Sequence, residues 1–156
     1  MQARLFGEKK VMDETYARLV MGDSTSFERR CEVSSHIRKQ YPDRVPILFV
    51  PHQRGGVVLD RRKYLAVGTD TVAHMLAQLR RSHLASRAAL APDCAMFCIV
   101  LDRHQAWIAP RLTATLAEVD ATASQADGFL YATCTSENTF GGTQSFSLAG
   151  RRGSFR

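Results

Sequence analysis

The stretch Ala95-Met96-Phe97-Cys98-Ile99-Val100-Leu101 contains no charged side chain. An uninterrupted apolar run, rather than an alternation, suits a strand in the middle of a sheet, where water reaches neither face. Such a strand needs neighbours on both edges and helices to cover it. The remaining sequence offers both.

The clearest helix spans Thr69–Arg81, where Val72, Met75, Leu76 and Leu79 recur at i, i+3, i+4 and i+7 and form one apolar face. An earlier helix runs to about Gln40. Thr25-x-x-Glu28 has capping-box spacing for its start. Phe27, Cys31, Ser34 and Ile37 form its narrow inner stripe, and Arg29, Arg30, Arg38 and Lys39 fall on a solvated basic face. Tyr41-Pro42-Asp43 ends it, because proline disfavours helix in the residue before it. Val45–Val50 then reads as a strand, with Pro46 tolerated near its beginning. Gly55-Gly56 supplies a turn, and a returning strand lies within Val57–Ala66, where Arg61, Arg62 and Lys63 guard an edge against unwanted pairing.

Ala85–Pro92 is an Ala-rich connection and Asp102–Pro110 a loop. Thr113–Thr122 is a short helix with Leu116 and Val119 inward, and Gly128–Thr135 is the last strand. The order helix, hairpin, helix, strand, short helix, strand is the β-grasp arrangement, an α+β fold. Before it, Leu5, Met12, Tyr16 and Leu19 roughly share one helical face, so residues 1–23 read as an appended helix or a mobile arm. After it, residues 142–156 hold few large apolar groups and read as a disordered tail.

At 156 residues and 45% hydrophobic composition, the chain is one domain able to bury a core without disulfides or metal. Its four cysteines include no Cys-x-x-Cys pair, and its five histidines form no zinc pattern, so neither metal nor cofactor is expected. Cys98 and Cys134 read as small buried hydrophobes of a reducing compartment. No segment has the continuous apolar length of a secretory signal or a bilayer span, which points to the cytosol. The net charge of +6 predicts acidic partners. Nucleic acid is disfavoured, because no aromatic ladder interleaves the cations. An enzyme is disfavoured too, since no context activates Cys94 or Cys98.

Near the C-terminus, the apolar Phe129-Leu130-Tyr131 leads through Glu137-Asn138-Thr139-Phe140 to Gly141-Gly142. Read locally, this is a strand followed by a Gly-Gly turn. It is also how a ubiquitin-like modifier presents its reactive end, because glycine lacks a Cβ and threads narrow enzyme clefts.

Several separated blocks decide between these readings. Phe27-Glu28-Arg29-Arg30, Ile37-Arg38-Lys39-Gln40-Tyr41-Pro42-Asp43-Arg44-Val45-Pro46-Ile47 and Leu59-Asp60-Arg61-Arg62-Lys63-Tyr64-Leu65 resemble the autophagy ubiquitin-like modifiers of the GABARAP and microtubule-associated-protein light-chain-three type. Asp127–Tyr131 and Glu137–Gly141 resemble the same family. The resemblance covers about residues 24–141 and implies a ubiquitin-like β-grasp with additional N-terminal helix or helices.

It further implies trimming by a cysteine protease after Gly141, with Gly142 as an alternative cut. Activating and conjugating enzymes would then join the new carboxylate to phosphatidylethanolamine. The expected location is the cytoplasm, and the autophagosomal membrane after conjugation. Fifteen residues follow Gly141, more than is common in the family. The resemblance also implies a groove for aromatic-x-x-aliphatic motifs of cargo receptors. Its aromatic pocket would be Ile37, Pro46, Leu48, Lys63 and Phe129. Its aliphatic pocket and edge strand would be Arg44, Tyr64, Leu65, Ala66, Val67 and Met75.

The chain departs from the family where Asp70 stands in place of a leucine, Val33 in place of a glutamate and Met75 in place of an aromatic. Insertions fall within Ser86–Pro92 and Arg103–Ala109. Tubulin is a further family association, with residues 1–23 open to that role or to packing on the domain. An unconjugated β-grasp adaptor, or a microtubule- or membrane-associated binding module, is the alternative function.

Overall fold

A computed structural model describes residues 14–22, 25–52, 57–86 and 90–136. Its sheet has the order β2-β1-β5-β3-β4, built from β1 (Arg44–Phe49), β2 (Lys63–Val67), β3 (Met96–Leu101), β4 (Trp107–Ile108) and β5 (Leu130–Ser136). Strands β1 and β5 run parallel at its centre, Ile47 facing Leu130, and the other neighbours are antiparallel. Helices α1 (Glu14–Met21) and α2 (Phe27–Gln40) cover one face. Helices α3 (Val72–Ser82) and α4 (Leu116–Ala123) cover the other. This is the ubiquitin-like β-grasp with an added N-terminal helix.

Alternation along the strands sorts the core into two layers. Val45, Ile47 and Phe49 of β1 join Leu130, Ala132 and Cys134 of β5 beneath the apolar stripe Val72, Met75, Leu76 and Leu79 of α3. Leu48 and Val50 join Ile99, Leu101, Phe129 and Tyr131 under α1 and α2. The uninterrupted apolar run thus holds β3, with Met96, Cys98 and Val100 buried on one face and Ile99 and Leu101 on the other. Cys98 and Cys134 face each other across β3 and β5, both buried. Their contact comes first, and burial second, in holding the Cys134 thiol well above its ordinary pKa. Pro46 lies one residue before the pairing with β5 begins, where its missing N–H costs least.

Several expectations are corrected. The start of α2 is capped by Ser26, whose Oγ accepts from the Arg29 N–H at 3.1 Å; the Thr25 hydroxyl instead donates to the Met21 carbonyl. A reciprocal capping box does occur, at Thr115 and Glu118 of α4. On the inner face of α2, Ser34 is buried and Ile37 packs on the core as expected, but Arg30 and Val33 join them there while Phe27 and Cys31 are only partly buried. Arg30 does not belong to the solvated face. Arg38 also leaves that face in part, forming two bonds to Asp120 at 2.8 and 2.9 Å and two to the Gly128 carbonyl. The returning strand begins at Lys63, and Leu59 before it bridges to Leu84. The segment 102–110 contains β4, which two residues of apolar pattern could not announce. Helix α3 is capped by Thr71, whose Oγ1 accepts from the His74 N–H at 3.1 Å. The Gly55-Gly56 turn, Leu5, Met12 and Gly141 lie outside the described residues.

Candidate functional site

Strand β2 pairs with β1 on one side and closes the sheet order on the other, so its second edge is open among the described residues. An open edge carries backbone N–H and C=O groups ready to receive another strand. Beside it lies a cavity of 180 Å³. Helix α1 contributes Met21, and α2 contributes Val33 and Ile37. Pro46, Ile47 and Leu48 come from β1, and Lys63, Tyr64 and Leu65 from β2. Phe129 closes it from the residue before β5. All five residues expected for an aromatic pocket therefore meet in one place. Lys63 is exposed at the mouth and is the only charged side chain in the lining.

The residues expected for the aliphatic pocket divide between the two faces of β2. Leu65 lines the cavity, and alternation places Val67 on the same face. Ala66 and Met75 belong to the core beneath α3, at 3% and 2% exposure. Tyr64 packs against that core and donates its hydroxyl to Gln78 Oε1 at 3.0 Å. Burial first, and the Asp70 charge second, raise its pKa. Arg44 is half-exposed, with Nε 3.9 Å from Asp43 Oδ2. Asp70 lies half-buried, 3.8 Å from His74 Nε2.

Met21 was invisible as a lining residue, because its helix pattern says nothing about where the helix docks. A buried polar hub fixes that docking. Arg30 Nε donates to Asp127 Oδ2 at 2.9 Å, Nη2 to Glu14 Oε1 at 3.0 Å and Nη1 to the Thr25 carbonyl at 3.2 Å. Its guanidinium also sits 5.6 Å from the centre of the Phe27 ring. Burial would lower the Arg30 pKa, but the bonds to Glu14 and Asp127 outweigh it and hold the group above its ordinary value.

Asp127 is fully enclosed. It accepts from the Tyr131 hydroxyl at 2.5 Å and from the Phe129 N–H at 3.1 Å, while its carbonyl accepts from Ser34 Oγ. The next residue, Gly128, has φ +89°, and a Cβ there would lie 2.2 Å from Ser34 Oγ; glycine is required by both conformation and contact. Farther along α1, Tyr16 meets Trp107 edge-on at 5.4 Å, and Arg62 donates to the Leu19 carbonyl. The wall carrying Met21 is thereby tied to α2, the residue before β2, β4 and the turn before β5.

Among the described residues, no cluster of His, Cys, Asp and Glu could hold a metal ion, and no helix is long and apolar enough to cross a membrane. The arrangement is suited to recognition of an extended, partly apolar chain.

Comparison with known proteins gives a consistent result. The family described as autophagy protein Atg8, ubiquitin like, matches residues 29–141. The autophagy-related protein 8 of Schizosaccharomyces pombe is 34% identical over 120 residues, spanning 76% of this chain and 91% of that protein. The protein of the same name from Mycosarcoma maydis is 32% identical over 117 residues, spanning 74% and 91%. The crystal structure of Trypanosoma brucei ATG8 superposes with a TM-score of 0.59 at 27% identity, covering 73% of this chain and 90% of that one.

Proposed function

The chain belongs to the Atg8 family of autophagy ubiquitin-like proteins, and from that premise we propose that it is a lipid-conjugated modifier that binds cargo receptors. A cysteine protease cleaves it after Gly141, the residue at which the family match ends. Activating and conjugating enzymes carry the new carboxylate through an adenylate and thioesters to the amine of phosphatidylethanolamine. The chain is the substrate of these steps and supplies no catalytic residue. It moves from the cytoplasm to the autophagosomal membrane when the lipid is attached. Burial of acyl chains, worth about 0.8 kcal/mol per methylene, then holds it there without a membrane-spanning helix.

The observation that carries the recognition half is the 180 Å³ apolar cavity beside the open edge of β2. A receptor segment adds a strand to that edge through main-chain hydrogen bonds. Its aromatic residue enters the cavity formed by Ile37, Pro46, Leu48, Lys63 and Phe129. Its aliphatic residue lies farther along β2, over Leu65 and Val67 and near Arg44 and Tyr64, with Ala66 and Met75 supporting that surface from beneath. Lys63, with Arg61 and Arg62 before it, attracts acidic residues flanking the motif.

The test is the intact mass of the membrane-associated protein in cells forming autophagosomes. The wild type is expected to lack every residue after Gly141 and to carry one phosphatidylethanolamine. The Gly141→Ala variant is expected to stay at full-length mass off the membrane. Wild-type protein on membranes at full-length mass would point to an unconjugated adaptor. Recovery of the variant with the same lipid adduct would reject Gly141 as the junction.

A further inference from the structure

We propose that the cavity beside β2 selects phenylalanine over tryptophan as the aromatic residue of its ligand. The inference rests on the peptide-binding reading above and narrows it to one side chain.

The chemistry of the lining leads to it. At 180 Å³ and open to solvent on one side, the groove admits either a phenyl or an indole ring, so size does not choose between them. Met21, Val33, Ile37, Pro46, Leu48 and Phe129 contribute no strong side-chain acceptor. Lys63 is a donor only. The Tyr64 hydroxyl is engaged elsewhere, with Gln78. The carbonyls on the open edge of β2 are the partners of the incoming backbone. Among the described residues that line the groove, no side-chain acceptor replaces the water an indole N–H loses, and a phenyl ring has no such group to lose.

One effect opposes this preference. The Lys63 ammonium can lie over an aromatic face, and indole is the best such face. At an exposed lysine that gain is a factor of roughly two to five, against a factor of about five or more for a buried donor without a partner. The missing acceptor decides the balance.

The test uses two receptor-type peptides, alike except for phenylalanine or tryptophan at the aromatic position, titrated against the full chain. The phenylalanine peptide is expected to bind more tightly, by about twofold or more once the cation–π gain is set against the lost hydrogen bond. Val33→Gln places an amide oxygen in the wall, and in this variant the ratio is expected to fall towards one or invert. Val33→Leu, apolar and without an acceptor, is expected to retain the phenylalanine preference, which separates the acceptor effect from a change of shape. Equal or tighter binding of the tryptophan peptide by the wild type overturns the inference while leaving peptide recognition intact. A ratio unmoved by Val33→Gln also overturns it. Binding of neither peptide overturns the recognition reading itself.

Discussion

Arg30 joins α1, the link to α2 and the turn before β5 through three fixed N–H directions. A planar guanidinium can serve separated acceptors in this way, whereas a lysine ammonium would leave some of them unserved. Arg30→Met keeps much of the volume but strands the Asp127 carboxylate, which is fully enclosed. Removing one partner of a buried pair costs about 3–5 kcal/mol, so the variant is expected to unfold at much lower urea concentration. Arg29→Met, at a side chain 67% exposed, is expected to stay within about 0.5 kcal/mol of wild type. Tyr131 belongs to the same hub. Burial, then the Asp127 charge and hydrogen bond, push its pKa well above the ordinary tyrosine value of 10.0. The folded state therefore keeps this proton where the unfolded state releases it. The contribution is complete below about pH 10 and is lost as pH rises towards the folded value, at up to about 1.4 kcal/mol per pH unit. Urea titrations between pH 9 and 11 are expected to show this decline, and a flat profile would contradict it.

At the scale of elements, β2 is both a structural edge and the proposed docking strand. Lys63→Glu replaces attraction by repulsion for acidic-flanked peptides. An exposed charge pair is worth only about 0.2–1 kcal/mol, so the expected loss is modest and shrinks with added salt. Unchanged affinity at low ionic strength would place Lys63 away from the bound peptide. The elements differed in how openly the sequence announced them. Helix α3 and strand β3 were legible because their patterns are local: a 3.6-residue stripe and an unbroken apolar run. The inner face of α2 was misread because Arg30 is buried by partners 16 and 97 residues away, and nothing near it in sequence supplies the compensating charges. Strand β4 was missed because it exists only through its pairing with Val100 and Leu101. The cavity beside β2 draws on separate elements, so the five expected residues that line it were grouped by family resemblance rather than by spacing. Met21 had no such signal, since docking of α1 depends on Glu14, Tyr16 and the Leu19 carbonyl finding their partners.

For the molecule as a whole, the decisive feature is that β5 lies between β1 and β3. Both neighbours precede it in the chain, and neither touches the other in the sheet. During synthesis on the ribosome the chain therefore makes the flanks of its sheet before its centre. Until Leu130–Ser136 emerges, β1 has only the hairpin partner β2, β3 has only two-residue β4, and the apolar stripe of α3 lacks half of its floor. A two-stranded hairpin is marginal alone, so the chain cannot store folded structure as it grows. Chains ending at Ala123 are expected to show little stable sheet by circular dichroism and rapid amide exchange in β1 and β3. Chains extended through Ser136 are expected to fold cooperatively. Protected β1 amides in the shorter chain would refute this order of events. The nascent protein thus carries an uncovered β3 from the completion of Leu101 until Leu130–Ser136 is added, and its exposure to chaperones or to aggregation in that interval is set by how quickly the last strand arrives.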